Sequence, residues 1–217
     1  MDSTFKEYEL RAQRLEDEDE DEDEDQEHEK KGSDEKEPRG RIEEKILETR
    51  TILLFGEISQ KSAREVCEKL ILLSALNDND IKLIINSQGG HVEAGDTIHD
   101  MITFVKPKVK ILGTGWVASA GALIYVAVPQ EQRYSLLNTR FMLHQPSGGV
   151  GGQATDISIE AQEILKMRDR LNKIFSDQTG QPVERIEKDT DRNFWMSAEE
   201  AKLYGLVGKV ITSQVDF

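Results

Sequence analysis

The chain contains a single cysteine, Cys67, among 217 residues. One thiol excludes an intrachain disulfide framework and a thiolate zinc site, and it suits a reducing compartment. Basic residues are also in short supply: 28 Lys and Arg stand against 42 Asp and Glu, a formal net charge of −14. Phosphate contacts need clustered Lys and Arg, so nucleic-acid binding is excluded as a function class. No apolar stretch approaches the roughly 18 to 20 residues of a bilayer crossing. The longest, Trp116 to Pro129, has the length of a buried core helix and carries a serine. The opening Met1 to Glu7 lacks the apolar segment of a signal peptide. Neither a glycine-rich phosphate loop ending in Lys-Ser or Lys-Thr nor a metal-ligand cluster is present. No simple internal repeat is present either. These absences predict a cytoplasmic protein of one domain, with no membrane segment, no metal and no nucleotide cofactor of its own.

What is present is unevenly placed. Residues 1–41 hold 18 acids and 8 bases, including ten consecutive acids from Glu16 to Asp25. Such a segment has little apolar surface to bury and repels itself, so it predicts a disordered acidic tail. Residues 42–217 read as the folded domain. Thr51 to Phe55 is a strand signal closed by Gly56. Ser62 to Leu76 places Ala63, Val66, Cys67, Leu70 and Leu73 on one helical face; Cys67 there reads as a packing residue. Ile81 to Ile85 is an apolar strand of the buried type, followed by a Gly-Gly turn and a helix over 92–105. Further strands are predicted near 109–112, Tyr134 and 141–144, with helices from Ser119, over 154–178 and after Pro182. Ser197-Ala-Glu-Glu200 is a capping box for the last helix, and a strand over 209–211 closes the pattern. Strand–helix alternation of this kind defines an α/β domain with a mostly parallel sheet.

Three places break the core-and-surface pattern. Asn86-Ser-Gln-Gly89-Gly90-His91 follows a buried strand, and its glycines let backbone N–H groups approach a ligand closely. A Gly-Gly pair is as often simple punctuation. Gly115-Trp-Val-Ala-Ser119-Ala-Gly121-Ala presents a hydroxyl where a strand gives way to a helix. It equally describes an N-cap serine among small residues. Phe141-Met-Leu-His144-Gln-Pro146 ends an apolar strand in a histidine, a general-base candidate once a serine lies near it and otherwise a structural residue.

Together with Gly152-Gln-Ala-Thr-Asp156, Thr179-Gly-Gln181, Asp189-Thr-Asp-Arg192 and Met196-Ser-Ala-Glu-Glu-Ala201, these stretches resemble the proteolytic subunit of the Clp protease, the ClpP family, from about Arg41 to Ile211. The resemblance implies the ClpP/crotonase-like fold, a spiral of strand–strand–helix units with a protruding handle made of a strand and a long helix. It implies a serine endopeptidase cutting unfolded polypeptides to short peptides inside a chamber of two stacked seven-membered rings. Ser119 would be its nucleophile, His144 its base, and the N–H groups of Gly90 and Ala120 its oxyanion hole. Substrate would pair with the handle strand after Pro146. Asp191 and Arg192 match the family's ring–ring contact. A separate AAA+ unfoldase would use the ATP, and the ring could be uniform or mixed with a homologous subunit.

The sequence departs from that pattern in four ways. Asn193 stands where the family has the triad aspartate. A neutral amide cannot stabilise the imidazolium, and in a trypsin-like protease the same exchange lowers turnover by about 10⁴. The expectation is therefore a slow or conditional peptidase, a neighbouring carboxylate (Asp189 or Asp191) acting in its place, or a weak structural and regulatory subunit of a mixed ring. Ala120 replaces the common methionine, leaving its N–H unaffected, and Gln88 replaces the proline before Gly89. Finally, the acidic tail stands where the pore-lining hairpin would be, and Lys82 and Ile84 occupy positions that often supply aromatics to the ATPase pocket.

Overall fold

The computed structural model describes residues 38–149 and 151–217, and the acidic tail up to residue 37 lies outside them. The described chain forms one unit, Pro38–Phe217. It opens with helix α1 (Pro38–Glu48), four residues ahead of the domain start at Ile42 read from composition. Then follow β1 (Thr51–Ile58), α2 (Gln60–Leu76), β2 (Ile81–Gly90), α3 (Val92–Phe104), β3 (Val109–Ala118) and α4 (Ala120–Tyr125). The second half contains β4 (Arg133–Leu136), β5 (Arg140–Leu143), α5 (Ala154–Thr179), α6 (Val183–Asp189), β6 (Phe194–Ser197), α7 (Ala198–Tyr204) and β7 (Lys209–Ile211).

The sheet runs β1-β2-β3-β4-β7, all parallel, and β3 is shared. Its first half pairs β4 through Ile111 to Gly113, and its second half pairs β5 through Trp116 to Ala118. The sheet therefore divides at β3, and β5 continues antiparallel to β6. The core lies between these strands and α2, α3 and α4: Leu83, Ile85, Ile98, Ile111, Ile124 and Phe141 are fully enclosed. Burial alternates along β1 and β2, so one face of these strands is enclosed and the other is half-buried or exposed.

Local signals set the helix ends. Ser59 and Ser62 form a reciprocal capping box at α2, and Ser197 and Glu200 another at α7, where these bonds hold the Glu200 carboxyl below its usual range. Arg50 donates to the carbonyls of Leu73, Asn77, Asn79 and Asp80, closing the far end of α2. Cys67 is half-buried on α2 and burial pushes its thiol up, as befits a packing residue rather than a thiolate. Among the described residues, the buried Arg133 forms no salt bridge with a carboxylate. Its guanidinium donates to the carbonyls of Val128 and Gln178 and to the Gln178 side chain, and burial holds its pKa down to about 10.

The structure departs from the sequence reading in two places, the end of β2 and the segment after β5. Gly89 and Gly90 are the end of β2 rather than a turn, because Glu57 and Ile58 of β1 pair with them. The helix expected from Ser119 is in place, with Ser119 as its N-cap residue and Ala120 its first. The long helix α5 does project, with residues 154–163 all exposed, while residues 145–149 form no strand. A glycine-rich segment without a neighbouring edge has nothing to pair with.

Candidate active site

Ser119 sits between β3 and α4 at φ 54° and ψ −123°, a region that a non-glycine residue occupies only when its surroundings hold it there. The restraints are visible. Its N–H donates to the Met142 carbonyl at 2.9 Å, and its carbonyl accepts from Ala122 at 2.9 Å and Leu123 at 3.2 Å. This backbone turns the hydroxyl out of the helix instead of letting it cap the first turn; no side-chain capping bond forms.

His144 follows β5, and β5 is the strand beside the second half of β3. One ladder therefore brings together residues 25 positions apart, and His144 Nε2 lies 2.8 Å from Ser119 Oγ. The imidazole is half-buried, and desolvation lowers its pKa from the ordinary 6.5. It is thus neutral near pH 7, able to accept a proton at Nε2.

Gly89 and Gly90 run alongside. A Cβ built on Gly89 would fall 2.6 Å from Ser119 Cβ and 3.1 Å from the Ala120 nitrogen, so only glycine allows this approach. The Gly89 N–H is taken by Ser87 Oγ at 3.0 Å. β1 bonds the residues flanking Gly90, as the 2.9 Å contact from His91 N–H to the Ile58 carbonyl shows. The Ala120 N–H is the first of α4, with no intrahelical acceptor. The hydroxyl–imidazole pair therefore lies beside the end of β2 and the first turn of α4.

Asn193 is placed differently. The β5–β6 register pairs Leu143 with Phe194, so its continuation sets Asn193 opposite His144. The ladder ends one pair short, Asn193 is exposed, and no hydrogen bond joins it to His144. The nearby carboxylates do not bond His144 either. Asp189 accepts the Tyr204 hydroxyl at 2.8 Å and lies 3.4 Å from Arg185 Nε. Asp191 accepts from Gln145 Nε2, at 2.8 Å through its carbonyl and 3.3 Å through its carboxylate. The exposed Arg192 makes no ion pair with any described residue. Two features left no local signal in the sequence. Gln145 clamps the segment beside its neighbour, and Arg170 binds Asp96 through both guanidinium nitrogens at 2.7 and 2.6 Å, tying α5 to α3.

Elsewhere, Lys82 and Ile84 line an apolar cavity of about 430 Å³, with Leu53, Leu112 and Phe217 among its walls. Among the described residues, no group of three or more His, Cys, Asp or Glu could hold a metal, and no helix is long and apolar enough to cross a membrane.

A strained serine bonded to a neutral histidine at the ends of adjacent parallel strands defines the class as a serine–histidine hydrolase site on an α/β scaffold. The chain belongs to the Clp protease family, which matches residues 34–214. It is 61% identical over 177 residues to an ATP-dependent Clp protease proteolytic subunit 3 of Rhizobium meliloti, covering 81% of this chain and 91% of that one. A proteolytic subunit 2 of Pseudomonas aeruginosa is 50% identical over 174 residues, covering 80% and 87%. Among solved structures, ClpP1 from Listeria monocytogenes is 52% identical with a TM-score of 0.74, covering 81% of this chain and 98% of that one. An Asn-to-Asp mutant of the same Listeria protein matches at 53% identity and a TM-score of 0.75, covering 80% and 98%.

Proposed function

We propose that this chain is the proteolytic subunit of an ATP-dependent Clp protease, a serine endopeptidase whose nucleophile is Ser119. The observation that carries the reading is the 2.8 Å contact between Ser119 Oγ and His144 Nε2 at a strained backbone position. His144 takes the hydroxyl proton as Oγ attacks the peptide carbonyl. The N–H groups of Gly90 and Ala120 stabilise the oxyanion, and the imidazolium returns the proton to the leaving amine. Water, deprotonated by the same imidazole, then attacks the acyl-enzyme and releases the new carboxyl end.

Asn193 occupies the third position of this triad. Its amide can accept a hydrogen bond from Nδ1–H, but it carries no charge to offset the imidazolium, so turnover is slow. Unfolded polypeptide is the substrate, cut within a chamber of two stacked seven-membered rings that Asp191 and Arg192 help to join. A separate AAA+ unfoldase feeds the chamber and uses the ATP; the chain needs no cofactor itself. The protein works in the cytoplasm.

A second reading makes the chain a weakly catalytic, regulatory member of a ring mixed with an active homologue. The exposure of Asn193, and its lack of a bond to His144, favour it. One experiment separates the two. The purified protein is treated with a fluorophosphonate and assayed on a fluorogenic peptide, beside Asn193→Asp and Ser119→Ala variants. Labelling of Ser119 with a strong gain in Asn193→Asp supports the peptidase; absence of labelling in both parent and Asn193→Asp removes it.

A further inference from the structure

Ser87 stands where β2 slips in register against both neighbours. On the β1 side, Phe55 lies opposite Asn86 and Glu57 opposite Gly89, so Gly56 (φ 86°) alone stands against Ser87 and Gln88, the extra residue lying on β2. On the β3 side, Ile85 lies opposite Gly113 and Ser87 opposite Val117. Bulges leave backbone groups without ladder partners, and the fully buried Ser87 side chain supplies two of the bonds. Its hydroxyl donates to the Gly56 carbonyl at 2.6 Å and accepts the Gly89 N–H at 3.0 Å. The same residue is a floor for α4, since a Cβ on Gly121 would lie 3.3 Å from Ser87 Cβ.

One side chain thus ties Gly56 of β1, the end of β2 and the helix behind Ser119. It fixes the buried Gly89 N–H, and the next residue, Gly90, is exposed. Gln88 has no ring to restrict the backbone there. We propose that Ser87 is a positioning residue that holds the Gly90 N–H at the oxyanion site, which rests on reading Ser119 as the nucleophile. Without its hydroxyl, Gly89 keeps a buried, unpaired N–H, and the strand end rotates to satisfy it. An oxyanion contact strengthens in the transition state more than in the bound substrate, so the loss falls on kcat rather than KM.

The test uses the full-length protein with Ser87→Ala and Ser87→Cys. The rate of Ser119 labelling by a fluorophosphonate, whose phosphonyl oxygen enters the same pocket, is measured against pH, alongside kcat and KM on a peptide. Labelling of Ser87→Ala is expected to slow about 10- to 100-fold, short of losing an oxyanion donor outright. kcat falls in step, KM stays within about twofold, and the acidic midpoint set by His144 does not move. Ser87→Cys, whose thiol is a weak donor, is expected to lie between, and it decides the matter where Ser87→Ala does not fold. A parent rate in either folded variant overturns the proposal, as does a midpoint that shifts with the rate, because Ser87 would then act through the imidazole. A parent protein whose Ser119 never labels defeats the peptidase reading itself; a labelled parent with unaffected variants defeats only the role of Ser87.

Discussion

The two edges of the His144 ring lie in contrasting surroundings. On the Nε2 side, β3 and β5 pair directly, Ser119 bonds to Met142, and the hydroxyl is held at 2.8 Å. On the Nδ1 side, the chain leaves α6 through an irregular segment, and Asn193 comes opposite His144 only as the β5–β6 ladder ends. Backbone pairing has delivered both partners, but side-chain bonding completes only one. The nucleophile–base geometry is therefore built into the sheet. On the other edge no described side chain bonds the imidazole, and the residue that the register sets opposite it, Asn193, is exposed and neutral.

Four measurements break or sharpen this contrast. Ser119→Ala removes the attacking oxygen and is expected to lower peptide hydrolysis by at least about 10³-fold, measured as initial rates; a smaller loss would place the nucleophile elsewhere. Asn193→Asp supplies the missing charge and is expected to raise kcat by about 10²-fold, part of the factor that the reverse exchange removes in a trypsin-like enzyme. No gain would mean that the Nδ1 side is limited by position rather than by charge.

The third measurement is the acid limb of the pH–rate profile. The neutral imidazole is the active form, and burial lowers its pKa from 6.5, so activity persists below that pH and is lost as the pH falls through the lowered value. In Asn193→Asp the new carboxylate favours the imidazolium, so the limb moves to higher pH. An unmoved limb would show that the two side chains do not meet. The smallest effect is expected from Gln145→Ala, which frees Asp191 and its neighbours from the β5 side. It is expected to cost about threefold in the Asn193→Asp background and little in the parent, a coupling read from a double-mutant cycle.

The fold was legible where periodicity and capping are local. α2 was expected from Ser62 and begins at Gln60, because the Ser59 cap and its Ser62 partner precede the apolar face. The α7 capping box and the β7 strand were both readable in place. Strand lengths through glycine were not, since Gly89 and Gly90 resemble a turn until β1 is known to lie beside them. β6 has four residues and a partner some fifty positions away, and α1 begins inside a charge-rich stretch. In the candidate site, Ser119 and His144 stood out by their residue types and small neighbours. Ser87, Gln145 and the Asp96–Arg170 pair did not, because each acts through a bond to a distant segment.

The order of the chain alone settled which chemical groups are available: one hydroxyl among small residues, one strand-end imidazole, and an amide where a carboxylate would carry charge. Tertiary structure decided which of them touch. Hydrogen bonds form or fail over tenths of an ångström, and that scale is set by strand register and by the strained backbone at Ser119. Neither is written in any local stretch, since both arise only when separate strands pair.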